Sequence, residues 1–203
     1  MMTDAPEASP AEVRPAPPAE FSDAAIAAMD DVYRFARSLT RDPSDAEDVV
    51  QDTYLRAFRS WHTFQPGTDI RRWLFTIARN VFLRSRERGQ REVTLDDEQS
   101  AAAESSQAQE AWVRGGLDPI LDRADLGPAI NAAMAELPET FRSVVVLVDV
   151  EDQPYEAAAE VLGVPVVTVR SRLFRGRKLL QERLALYARD AGLLASSPSR
   201  SPA

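Results

Sequence analysis

Five cations crowd one acid-free stretch: Arg170, Arg172, Arg175, Arg177 and Lys178 lie between Val164 and Leu180. Seven arginines, at 71, 72, 79, 84, 86, 88 and 91, share a second stretch with a single acid, Glu87. Guanidinium groups suit phosphates and the paired acceptors of guanine, and Thr or Ser suits phosphate or base. Phe75 falls off the apolar stripe of its segment, on the side of Arg72 and Arg79, where an exposed ring would stack on an unpaired base. A solvated cationic helix with Phe75 tucked against a neighbour is the other reading of that segment. A third set has the opposite sign: Asp45, Asp48 and Asp52 share a helical face with Glu47 nearby. Carboxylates on one face can hold a metal, dock a protein or simply meet water, and acids in a first turn favour the helix dipole. A metal site would draw Glu and His from several helices, and no Glu-x-x-His pair exists here.

The acid is unevenly spread. The chain has 203 residues and a formal net charge of -8, and residues 92–125 hold nine acids against Arg114 and Arg123. That difference, -7, is nearly the whole net charge. Few large apolar residues interrupt "QSAAAESSQAQEA", so the segment reads as an acidic flexible linker. It divides the chain into folded parts at 23–91 and 126–190, flanked by tails of disordered character at 1–22 and 191–203. With no cysteine, disulfides and thiolate zinc sites are excluded, which fits a reducing cytoplasm. The single histidine, His62, cannot build a metal site alone and reads as a loop or surface residue. The N-terminal stretch lacks the apolar run of a signal peptide, and no run approaches the ~18 residues of a membrane span.

Both folded parts read as helical. Val32, Phe35, Ala36 and Leu39 follow the i, i+3, i+4, i+7 rule. Ser44 and Glu47 have capping-box spacing, and Ala46, Val49, Val50, Thr53, Tyr54, Ala57 and Phe58 form the stripe that follows. Ile70, Trp73, Leu74, Ile77, Ala78, Val81 and Phe82 make another, after a loop broken by Pro66 and Gly67. In the second part Phe141, Val144, Val145 and Val148 keep helical period, and Pro138 suits a helix start. Ala159, Gly163 and Val169 then stand at the spacing of a helix-turn-helix: a small residue at the crossing, a glycine in the turn, an apolar closing residue. Burying Val166, Val169 and Leu173 leaves Thr168, Arg170, Ser171, Arg172, Phe174, Arg175 and Lys178 on other faces, and the five cations are expected on DNA. A basic surface helix in a plain helical hairpin is the competing account. Overall acidity is no obstacle, because screening confines charge effects to ~10 Å.

The two parts together resemble the extracytoplasmic-function (ECF) sigma factors of the sigma-70 family. "DAEDVVQDTYLRAF" is similar to their polymerase-binding helix, "WLFTIARNVFLRSRER" to their −10 recognition and melting helix, and "LPETFRSVVVLVDVEDQPYEAAAEVLGVPVVTVRSRLFRGRKLL" to their −35-reading domain. The resemblance implies an all-α fold of two small helical domains, regions 2 and 4, the second with a helix-turn-helix. It implies a transcription initiation factor rather than an enzyme, with no catalytic residue, metal or cofactor. Asp45, Asp48, Gln51 and Asp52 would dock on the β′ clamp helices of core RNA polymerase, with a further contact to its β flap. The loop from Phe64 to Asp69 would receive a flipped −10 base, and Arg72, Trp73, Phe75, Arg79 and Asn80 would hold the opened strand. Thr168, Arg170, Ser171, Arg172, Phe174, Arg175 and Lys178 would serve the −35 element. Core polymerase, promoter DNA and an anti-sigma factor are the implied partners of a cytoplasmic protein without membrane insertion. In the free chain the two parts are expected to have no fixed spacing. Two departures stand out: Val167 replaces the family's usual Gly, and Arg84 stands where an acid is frequent. A repressor or response regulator would need a sensor or receiver that 23–91 does not offer. A metal enzyme lacks His partners, and a protein-only adaptor leaves both arginine clusters unexplained.

Overall fold

The computed structural model describes residues 16–89 and 127–190; the segment expected as linker, 92–125, lies outside them, as do 1–15 and 191–203. All regular structure among the described residues is helical. The first part holds α1 (Ala19–Ala27), α2 (Met29–Leu39), α3 (Pro43–Arg59), a 3-10 turn at Trp61–Thr63 that carries the exposed His62, and α4 (Ile70–Gly89). The second holds α5 (Gly127–Glu136), α6 (Glu139–Val145), a π-helical segment at Val146–Val150, α7 (Tyr155–Leu162) and α8 (Val166–Asp190).

The first part starts earlier than 23, the boundary expected from sequence. Pro18 precedes α1, and Phe21 is buried with its ring 5.8 Å from each of Phe58, Phe64 and Trp73. The Pro-rich flank hides a residue that closes an aromatic cluster. α3 also starts differently. Asp42, not Ser44, is the N-cap: its Oδ1 accepts from Ser44 N at 2.7 Å, and Pro43 occupies the first turn where no N–H is needed.

α4 is enclosed more fully than its stripe indicates. Leu74, Ala78, Val81 and Phe82 are buried as expected, but Phe75 is fully buried too, 5.1 Å from the Phe35 ring at the α2 crossing. Phe75 therefore cannot stack on a base. Helices α2 and α3 pack α4 on one side and α7 on another, so the face beside Arg72 and Arg79 is not free. Each fully buried Phe or Leu of this kind contributes about 1.5–3 kcal/mol.

In the second part the valine run is helical and ends in the π segment, with Glu151 N donating to Val146 O at 2.9 Å. α7 ends at Gly163, whose φ of 60° and ψ of 38° are left-handed. Val164 N donates to Ala159 O at 3.1 Å and Gly163 N to Glu160 O at 3.2 Å, a Schellman closure that satisfies the last carbonyls. Ala159, Val169 and Leu173 are buried at the helix-turn-helix crossing. α6 crosses α8 at Gly176, where an added Cβ would lie 2.8 Å from Val145 Cγ2. Gly163→Val is expected to cost at least about 1–2 kcal/mol from the left-handed backbone alone. Its Cβ would also press on the Arg79 guanidinium at 3.1 Å. Urea unfolding measures the loss; an unchanged midpoint would count against the turn as the reason for this glycine.

Candidate nucleic-acid and polymerase interface

The two parts are packed together, contrary to the expectation of no fixed spacing. One continuous core runs from Phe35 and Leu74 to Val144, Leu147 and Leu162. Polar contacts line the seam. Arg142 on α6 is buried, and its Nε donates to Ser38 O at 2.8 Å and its Nη2 to Thr40 O at 3.1 Å. Its Nη1 reaches Ala135 O and Leu137 O within its own part. Burial, with the Arg41 and Arg37 charges, holds this guanidinium below its ordinary pKa, and Glu139 opposes the shift. Glu151, almost wholly buried, accepts from Arg34 Nε at 2.7 Å. Burial pushes the Glu139 carboxyl up, against four arginines: Arg86 and Arg79 from the first part, Arg142 and Arg172 from the second.

The seam engages residues expected at the −10 element. Asp69 caps α4 by accepting from Arg71 N at 2.9 Å, and its other oxygen accepts from Gln153 Nε2 at 3.1 Å. Burial favours the neutral Asp69, but the Gln153 and backbone hydrogen bonds with the Arg71 charge outweigh it and lower its pKa. Arg72 is ion-paired with Glu160 of α7. Arg79 lies against Gly163, and its pKa is lowered by burial first and by the Arg172 charge second. Phe64 and Trp73 are partly buried, their rings 5.6 Å apart, and Asn80 is exposed on α4. The expected −10 residues thus lie along α4 and the loop before it, Phe75 in the core and several of the others held by the second part.

On α8 the buried seam of Val169, Leu173 and Gly176 faces α6 and α7. Arg170, Arg175 and Lys178 are exposed, and Thr168, Ser171, Arg172 and Phe174 are partly exposed. The Arg170 guanidinium lies 5.8 Å from the centre of the Tyr155 ring. One of the five cations leaves the set expected on DNA: Arg177 pairs with Asp149, its Nε 3.0 Å from Oδ2, which raises its pKa. It braces α8 on the π segment. The period of α8 places it 280° around from Val167, between the exposed face and the buried seam.

The carboxylate face is divided. Asp45, Asp48 and Asp52 line a shallow groove with Arg41, Val81, Phe82 and Arg86, whereas Gln51 faces a neighbouring groove of about 730 Å³. That larger groove is apolar, formed by Met29, Tyr33, Val50, Tyr54, Leu55 and Phe58. Met29, Tyr33 and Leu55 are exposed. Sequence reading missed it because Leu55 sits among polar residues and its neighbours come from two helices. Tyr54 anchors the groove wall by donating to Ala25 O at 2.7 Å, and burial pushes its phenol up to about 12.

The sequence matches the family model for sigma-70 region 2 over residues 27–92 and for sigma-70 region 4 over residues 128–180. It is 35% identical over 159 residues to the ECF RNA polymerase sigma factor EcfG of Rhodopseudomonas palustris, covering 78% of this chain and 82% of that one. The chain belongs to the ECF sigma factors. It is 38% identical over 164 residues to SigE of Mycolicibacterium smegmatis, covering 79% of this chain and 60% of that longer protein. Its fold matches the sigma factor RpoE of Bartonella quintana, solved in complex with the anti-sigma factor NepR. The TM-score is 0.61 at 29% identity, over 82% of this chain and 97% of that one. As a sigma factor it is a non-enzymatic subunit that binds RNA polymerase and promoter DNA for transcription initiation. The region 2 match thus falls on α2–α4 of the first part and the region 4 match on α5 through the middle of α8 in the second. No helix among the described residues is long and apolar enough to cross a membrane. Arg84, one of the two departures, is exposed on the C-terminal half of α4.

Proposed function

We propose that this sigma factor docks on the β′ clamp helices of core polymerase through Asp45, Asp48, Gln51 and Asp52, with region 4 on the β flap. It reads the −35 element with the outer face of α8 and holds the opened −10 strand with the loop from Phe64 to Asp69 and with Arg72, Trp73, Arg79 and Asn80. It acts in the cytoplasm, and an anti-sigma factor restrains it, as the Bartonella relative is bound by NepR. The observation that carries this reading is the division of α8: an apolar seam on one side, and on the other Arg170, Ser171, Phe174, Arg175 and Lys178 within two and a half turns. A helix so divided presents its N-terminal half to a major groove while its seam stays in the core.

Asp69, Arg72 and Arg79 are engaged by region 4 in the free chain. Regions 2 and 4 must part before these side chains meet DNA, and core polymerase supplies the surfaces that hold them apart. The free protein is therefore a weak duplex binder, and two weak contacts become one cooperative contact in the holoenzyme. Footprinting a cognate promoter with and without core enzyme tests this. Protection of both elements should require core enzyme, and full protection by the protein alone would overturn it. Within that assay Arg175→Ala should lower use of the −35 element by about 1–3 kcal/mol, roughly five- to 150-fold, with core binding unchanged. Equal transcription by both holoenzymes would remove Arg175 from the reading face.

A further inference from the structure

Val167 is 72% exposed, more than any other large apolar side chain among the described residues. It is the second residue of α8, with Val166 partly buried before it and Val169 fully buried after it. At about 100° per residue, Val167 lies directly opposite Gly176, at one edge of the buried seam that Val169 and Leu173 continue. Arg170 and Ser171 flank it, and Phe174 and Lys178 follow in line on the next turns. It is thus an N-terminal member of the polar face of the recognition helix.

Folding gives no reason for a valine there. The side chain is outside the core, and β-branched residues are mediocre helix formers. The face around it carries a definite set of groups. Arg170 and Arg175 are donors. The Ser171 hydroxyl donates to Thr168 O at 3.0 Å within the helix, so it faces outward as an acceptor. Val167 adds an apolar group at the position where a recognition helix meets base edges. The apolar feature of the major groove is the C5-methyl of thymine.

We propose that Val167 is a specificity-determining residue that packs on the 5-methyl group of one thymine, on either strand, in the −35 element. This rests on α8 being the −35 reader. Arg170 and Arg175 select by hydrogen bonds, and Val167 adds a selection by shape that a glycine at the same position could not make.

The test starts from −35 sequences selected out of a randomised promoter library by wild-type, Val167→Ala and Arg175→Ala holoenzymes. Each thymine of the wild-type site is then replaced singly by deoxyuridine, which removes the methyl and keeps every hydrogen-bonding group. Losing one buried methyl should lower wild-type promoter occupancy about three- to fourfold at one position. Val167→Ala should lose most of that sensitivity at that position only and should relax the base preference there, while the positions relaxed by Arg175→Ala stay selected. Four results overturn the proposal. The selected site has no thymine within α8's reach. Deoxyuridine has no effect on wild type. The effect is the same in Val167→Ala. Or Val167→Ala weakens assembly with core enzyme on every sequence, which marks a protein contact. If Arg175→Ala also leaves selection unchanged, the −35 reading itself has failed; if only Val167→Ala does, the failure is confined to the methyl contact.

Discussion

Arg142→Ala is expected to open the free protein. The Arg142 guanidinium is the buried bolt of the seam between regions 2 and 4: it donates to Ser38 O and Thr40 O at the C-terminal end of α2. Hydrogen bonds from a charged donor contribute about 1.5–3 kcal/mol each, so losing two removes about 3 kcal/mol or more from the closed arrangement. That shifts the ratio of closed to open molecules by at least about 150-fold. Small-angle scattering should show a larger radius of gyration with helical content retained, and hydrogen exchange should rise along α7 and the start of α4. Arg142 also holds Ala135 O and Leu137 O inside region 4, so a second variant separates the two roles. Arg34→Ala with Gln153→Ala removes the Glu151 and Asp69 contacts from the seam and leaves the Arg142 contacts to Ala135 O and Leu137 O intact, at the loss of one local bond from Gln153 Nε2 to Glu151 O. It should expand the molecule in the same direction. Wild-type dimensions in both variants would show that apolar packing, with the remaining Arg72–Glu160 and Arg86–Glu139 ion pairs, keeps the two regions together without these hydrogen bonds.

The seam is the part of the molecule that sequence could not disclose. Arg142 and its acceptors on region 2 are more than 100 residues apart, and nothing in the local pattern of α6 distinguishes a bolt from a surface arginine. Glu151 and Gln153 lie between the π segment and α7, where nothing in the local sequence marks them for burial, yet both are buried, and each has a partner on the other region. Phe75 takes the second of its two readings, tucked against Phe35 of α2 within region 2: a helix wheel divides a helix into two faces, and α4 is covered on more than one. By contrast, the helix-turn-helix was legible because its determinants are local. Gly163 must take a left-handed backbone, and Ala159 and Val169 must meet across a short turn. The α3 start failed at a finer scale. Asp42 and Ser44 both suit an N-cap, and Pro43 between them settles the choice for Asp42 by occupying the first turn.

Reversing two charges on α3, Asp48→Lys with Asp52→Lys, should abolish productive assembly with core polymerase while the fold survives. Asp48 is exposed and Asp52 partly so, on the rim of the groove that Asp45 shares, and neither forms an ion pair among the described residues. Substitutions at such positions usually change stability within about 0.5 kcal/mol. At an interface the balance differs, because like charges brought together cost several kcal/mol and also slow encounter. An affinity loss of 100-fold or more is therefore expected, falling as salt rises. The neighbouring apolar groove sharpens the test. If the clamp helices lie across both grooves, Leu55→Asp should also weaken assembly, and with much weaker salt dependence, because it removes apolar burial from the centre of the contact. The two variants then give opposite signatures in one fluorescence-anisotropy titration: charge reversal changes the association rate and the salt slope, and Leu55→Asp changes mainly dissociation. Retention of wild-type core affinity by Asp48→Lys with Asp52→Lys would remove the carboxylate face from the docking surface, whatever Leu55→Asp does. Loss of affinity in the charge-reversed protein alone would confine docking to the acidic rim and leave the apolar groove outside it.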